Sequence, residues 1–219
     1  MLSAGLGSNG IYRNAGFQRR SDEPRFGLAA IPVFLSCAWF MLTADYLSKL
    51  NLVPESERVA RLPERVGNSI ADLDVVVFNV PDDASDTDAC MTRYNIPVED
   101  NANTIIVRFK KNGAAHLAAI VALADKRIDI NGAARRALEA SRVSFASRED
   151  AVSASGMEYG GITAFGLPVG WRILVDTAVL ERKVIVMGAG IREAKLLLPP
   201  SALLSLSGVS VVSLAKPNS

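Results

Sequence analysis

Residues 156–168 read Gly156-Met157-Glu158-Tyr159-Gly160-Gly161-Ile162-Thr163-Ala164-Phe165-Gly166-Leu167-Pro168. A stretch this rich in glycine, closed by a proline, is neither ordinary helix nor central strand. Its flanks are apolar and strand-like, so it reads as a loop held within a folded core. One reading is a bulged hairpin between two strands. The other is a loop that brings bare backbone N–H groups to a ligand, because glycine lets another molecule approach closely.

The segments after this loop are short and β-branched or leucine-rich: Ile173-Leu174-Val175-Asp176, Val184-Ile185-Val186-Met187, Lys195-Leu196-Leu197-Leu198, and Val209 to Val212. Pro200 or Ser201 opens a helix before the last of them. Upstream, Ser147 with Asp150 three residues on predicts a capped helix ending at Gly156. Asn131 predicts the cap of another, running through Ala140. Thr104 to Phe109 and Ala115 to Leu123 are strands joined at Asn112-Gly113, a tight-hairpin pair. Asp83 to Tyr94 suits a helix capped by Asp86 or Thr87, and Asp74 to Val80 a strand that stops at Pro81. Leu50 to Val66, broken by Pro54 and Pro63, suits short helical pieces. Hairpin spacing mixed with helical crossovers argues an α/β chain of the α+β type, a mixed sheet flanked by helices.

The chain has 219 residues, enough for one domain with an N-terminal extension. Lys+Arg 24 against Asp+Glu 23 leaves a formal charge of +1, so no global field draws it to nucleic acid or membrane. Any RNA contact must be local; Lys110, Lys111, Lys126, Arg127, Arg135 and Arg136 form one candidate phosphate strip or a solvated face. Two cysteines, Cys37 and Cys90, and the lone His116 exclude a disulfide framework and a zinc site of the usual type, and the chain is expected to use no metal and no cofactor. His116 lies in an apolar run and receives no catalytic role.

Phe26 to Ala44 is uncharged and follows Arg19, Arg20 and Arg25, as a signal or anchor would. Gly27 and Pro32 interrupt it, and Leu42 stands where a cleavage site wants a small residue. Residues 1–40 read as a disordered leader or sequence upstream of a true start at Met41, with an anchor at 26–44 or a docked helix as the other readings. The domain itself is assigned to 41–219.

Gly188-Ala189-Gly190 follows a strand but lacks the third glycine of a dinucleotide fingerprint, and Ile191-Arg192-Glu193 follows instead. It reads as a second backbone loop. Asp176, after a buried apolar triplet, either caps a turn or accepts hydrogen bonds in a site. Glu158 is either a general base or surface charge.

Taken in order, Asn103-Thr104-Ile105-Ile106-Val107, Leu123 to Ile130, Ser144-Phe145-Ala146-Ser147, Gly156 with Gly160-Gly161-Ile162-Thr163, Val175-Asp176, Gly188 to Arg192 and Leu196 to Pro199 resemble the YbaK/ProX/EbsC family. These are aminoacyl-tRNA deacylases related to the editing domain of bacterial prolyl-tRNA synthetase. The resemblance covers about Asp74 to Ala215. It implies a mixed, partly barrel-like sheet surrounded by helices and trans-editing hydrolysis of the ester of misacylated tRNA in the cytoplasm. The implied partners are the aminoacyl-tRNA 3′ end and an aminoacyl-tRNA synthetase, not DNA or a membrane. By position, Gly160, Gly161, Ile162, Thr163 and Asn103 fall to catalysis, and Asp176, Gly188, Gly190 and Arg192 to substrate binding. Asn103 stands where the family commonly has lysine, and Ala164 where it usually has proline. The alternative is therefore a non-catalytic tRNA- or aminoacyl-binding module of the same fold.

Overall fold

Pro54 and Pro63 each sit immediately before a short helix, α1 (Glu55–Arg61) and α2 (Glu64–Ile70), with φ near the value a helix start accepts. Their carbonyls take the first helical N–H groups, from Glu57 and Arg58 and from Val66 and Gly67. The computed structural model that shows this describes residues 47–84 and 87–216. The run at 26–44, the leader and Asp86 lie outside the described residues. Among those described, no helix is long and apolar enough to cross a membrane.

Among the described residues, nine strands form two sheets. The first, in order β1-β2-β8-β7, contains Asn51–Leu52, Val76–Asn79, Ala194–Leu198 and Ile185–Gly188, all antiparallel. The second, in order β5-β3-β4-β6-β9, contains Arg142–Phe145, Ala102–Lys111, Ala114–Leu123, Arg172–Asp176 and Val209–Val212. Its β4–β6 and β6–β9 pairs are parallel, so the sheet is mixed, as expected. β3 and β4 are joined at Asn112-Gly113, whose φ values of 52° and 80° are those of a primed turn.

Period-two alternation sends the side chains of each sheet to two different cores. Val77, Met187, Leu196 and Leu198 from one sheet and Ile106, Val121, Ile173 and Val175 from the other share the central core. Val76, Phe78, Val186 and Leu197 face outward onto Cys90 and Tyr94 of α3 (Thr87–Tyr94). Val107, Ile120 and Leu174 face the opposite way, onto Leu138 and Leu214. Both faces of both sheets are thus covered, and each fully buried aliphatic side chain contributes about 1.5–3 kcal/mol. Arg58 is buried as well, but its guanidinium donates to the carbonyls of Ala71, Leu73 and Val75 at 2.6–3.1 Å.

One edge is left open. β5 pairs with β3 only over Val107–Lys110, so the first half of β3 has no strand neighbour on that side. There β7 approaches through a single bridge, Asn101 to Val186, which joins the two sheets.

Two local readings need correction. The cap after β4 is Asp129, not Asn131: its carboxylate accepts from the N–H groups of Gly132 and Ala133, both at 2.9 Å. The following turn is a wide π turn, Ile130–Ala134, leading into the short α4 (Arg135–Ala137). The segment 156–168 is not a hairpin; it connects α5 (Arg148–Ser155) to β6 without a strand of its own. The predicted cap on α5 is present, Ser147 Oγ accepting from Asp150 N–H at 3.0 Å, and Gly156 ends it with φ 70°.

The hydrogen bond from Ala133, reinforced by that from Gly132, holds the Asp129 carboxyl below its ordinary pKa despite an opposing desolvation effect. A lowered carboxylate pKa contributes stability above the ordinary value, lost as pH falls through the folded value. Asp129→Ala should therefore be destabilising at neutral pH, and the difference from wild type should shrink below about pH 4, read by urea unfolding across pH.

Candidate functional site

The open β3 edge forms one wall of a cleft of about 430 Å³. Asn101, Asn103 and Thr104 of that edge face it, with Met187, Gly188 and Lys195 from the other sheet, Ser147 and Arg148 from the start of α5, and Tyr159, Gly160 and Ile162 from the glycine loop. Ile105, Ile106, Phe145, Ala146 and Ala151 make the rest of the lining apolar.

The glycine loop is held in place by the second loop, 188–192. Glu158 N–H donates to Gly190 carbonyl at 2.9 Å, and Gly190 N–H returns a bond to Gly161 carbonyl at 2.7 Å. Glu158 carboxylate accepts from Arg192 N–H at 2.7 Å. Glycine is required at specific points of this interlock. Gly160 and Gly190 have φ of +87° and +88°, and a Cβ on Gly188 would meet the Gly161 carbonyl carbon at 2.7 Å. Glu158 is thereby a fastener of the loops; its carboxylate is engaged with backbone.

This interlock does not take up every donor of the loop; at the cleft it leaves the N–H groups of Tyr159, Gly160 and Ile162. Gly161 N–H is used by Glu158 carbonyl, and Thr163 N–H rests on Met157 Sδ at 3.4 Å. The N–H groups of Gly160 and Ile162 donate to no acceptor among the described residues, and both residues line the cleft. Lys195 reaches the same place. It is only 5% exposed, and its Nζ donates to Gly160 carbonyl at 3.3 Å. Its partner across the β7–β8 ladder is Gly188, which puts no side chain in the way of the lysine stem.

Of the residues singled out from sequence, Asn103, Gly160, Ile162 and Gly188 come together on the cleft wall. Gly161, Gly190 and Arg192 stand behind it as the interlock, and Thr163 is fully buried beneath. Asp176 is not among the residues that line this cleft. It is 1% exposed at the end of β6, where its Oδ1 accepts from Leu214 N–H at 3.1 Å and from Thr177 hydroxyl at 3.4 Å. The basic strip is not part of the cleft lining either, and two of its members are paired, Lys111 with Glu139 and Lys126 with Asp125. Lys195, Phe145, Arg148 and Tyr159 were not assigned to the site by the sequence reading. The available signal was a lysine embedded between Ala194 and the leucines of a buried strand.

A family model described as aminoacyl-tRNA editing domain matches residues 81–206. No curated protein matches the chain. Several solved structures share the fold. One, described as a candidate trans-editing enzyme for prolyl tRNA synthetase, is 20% identical, with TM-score 0.59 over 76% of this chain and 99% of the other. A second, described as a hypothetical protein, is 23% identical, with TM-score 0.63 over 70% of this chain and all of its own. A scaffold protein used for epitope grafting is 18% identical, with TM-score 0.58, covering 76% of this chain and 100% of that one. At these identities the likeness concerns the fold.

The interlock makes a steric prediction. A methyl group on Gly161 would lie 2.9 Å from Ile191 Cα, inside backbone that has no room to yield. Gly161→Ala should lose about 1–3 kcal/mol of stability. A denaturant midpoint equal to wild type would show that the two loops are not locked together.

Proposed function

The chain belongs to the aminoacyl-tRNA editing domain family, and we propose that it is an editing deacylase, hydrolysing the ester between a wrong amino acid and the terminal ribose of tRNA. The observation that carries this reading is the pair of uncommitted N–H groups, Gly160 and Ile162, on one cleft wall beside the Lys195 ammonium. Ester hydrolysis passes through a tetrahedral intermediate whose carbonyl oxygen becomes an anion. Fixed backbone donors stabilise that charge more than they stabilise the substrate, and need not reorganise to do so.

In this reading the carbonyl oxygen takes the Gly160 and Ile162 donors, and Lys195 adds positive charge from behind Gly160. Water attacks the carbonyl carbon, the bond to the ribose oxygen breaks, and the proton lost by water ends on the departing ribose hydroxyl. Asn103 offers both a donor and an acceptor to the attacking water or the substrate amino group. The apolar lining, Ile106, Ala151 and Met187 among it, suits an uncharged amino-acid side chain. An asparagine at 103 does not leave the cleft without a cation, because Lys195 enters it from β8. That favours a catalyst over a module that only binds. Charged tRNA is cytoplasmic, so the same reading locates the activity there, with the tRNA 3′ end as partner and an aminoacyl-tRNA synthetase as a second one.

A panel of mischarged tRNAs should show release of amino acid from at least one. Binding of tRNA with no turnover on any of them would overturn the enzyme reading. Lys195→Met should lower kcat by about 100-fold with a much smaller change in KM, since it removes charge felt chiefly by the transition state.

A further inference from the structure

We propose that the mouth of the cleft is a seat for the terminal purine nucleotide of the acylated RNA, Phe145 and Tyr159 receiving the base and Arg148 the adjoining phosphate. This rests on the editing reading and extends it from the ester to the nucleoside that carries it.

Three elements converge on this rim. Phe145 is the last residue of edge strand β5, Arg148 the first of α5, and Tyr159 belongs to the glycine loop. All three line the cleft, yet the aromatic residues are far from buried: Phe145 is 61% exposed and Tyr159 is 50% exposed. Two large rings left in water at the mouth of one cleft are surface that a planar partner can cover. The Arg148 guanidinium stands 4.6 Å from the centroid of the Tyr159 ring, so a cation is already stacked on that platform. Arg148 has no carboxylate partner among the described residues, whereas Arg108 nearby is tied to Asp150 at 2.5 Å.

The placement follows from connectivity. With the ester carbonyl at Gly160 and Ile162, the ribose is one bond away, and its base and phosphate must leave toward the open end of the cleft. A charged tRNA ends in adenosine, whose base presents a π face to the rings while its phosphate carries the charge that Arg148 complements. Stacking on aromatic side chains with a cation beside them is how single-stranded nucleotides are commonly held.

The test is binding to the full chain, with no turnover needed. AMP and ribose 5-phosphate are titrated by NMR or calorimetry against wild type, Phe145→Ala, Tyr159→Ala, Tyr159→Phe and Arg148→Ala. AMP should bind at least tenfold tighter than ribose 5-phosphate. Each aromatic-to-alanine change should weaken AMP by about tenfold. Tyr159→Phe should leave AMP binding intact, and Arg148→Ala should weaken both ligands. Exposed rings are dispensable for folding, and unchanged melting temperatures check this. AMP binding no tighter than ribose 5-phosphate, or alanine variants that bind AMP as wild type does, would overturn the seat. The two proposals fail separately: a protein that stacks AMP on these rings but hydrolyses no mischarged tRNA keeps the seat and loses the deacylase, and a deacylase indifferent to the rings does the reverse.

Discussion

Gly190 N–H to Gly161 carbonyl, Glu158 N–H to Gly190 carbonyl, and Arg192 N–H to the Glu158 carboxylate bind two loops that arrive from different parts of the chain. One enters from α5 and leaves for β6; the other connects β7 to β8 in the opposite sheet. Because each loop satisfies the other's polar groups, neither needs a regular element at this point. Backbone groups that cannot reach water must be paired somewhere, and here the pairing is reciprocal. The N–H groups of Gly160 and Ile162 are among the loop donors that this pairing leaves without an acceptor among the described residues, and both residues line the cleft.

The sheets supply the rest of the cleft by what they leave out. β5 is too short to cover β3, so the strand edge carrying Asn103 stays open, and β7 meets it through one bridge only. Into that gap comes Lys195, whose stem passes across Gly188. A lysine this buried is costly unless its charge is used or compensated. Its position beside the loop carbonyl of Gly160 ties the charge to the same atoms that would meet the substrate.

Much of this was legible in the chain. Val75 to Val80, Thr104 to Phe109, Ile173 to Asp176 and Leu196 to Leu198 show their strands because burial on both faces demands unbroken β-branched or leucine runs. Ser147 and Gly156 mark the ends of α5 because caps are local chemistry. β5 was missed because it is a short edge strand in which Val143 alone is buried while Phe145 faces solvent, so its pattern shows no alternation. Asn131 was mistaken for a cap because its neighbour Asp129 takes two N–H groups from a turn wider than an α-helix, outside the usual spacing. At the site, the glycine loop and Asn103 could be read from residue order. Asp176 could not be placed, since only tertiary packing turns it toward Leu214, and Lys195 was hidden inside a strand whose leucines dominate its pattern.

The central claim is that the Gly160 and Ile162 N–H groups receive the substrate carbonyl. It is tested most directly by titrating a non-hydrolysable amide analogue, a 3′-aminoacylamino-adenosine, into the ¹⁵N-labelled protein. The account predicts saturable downfield shifts of the Gly160 and Ile162 amide protons, with the Lys195 side chain shifting at the same ligand concentration. Saturable binding that leaves those two amides unmoved would contradict it.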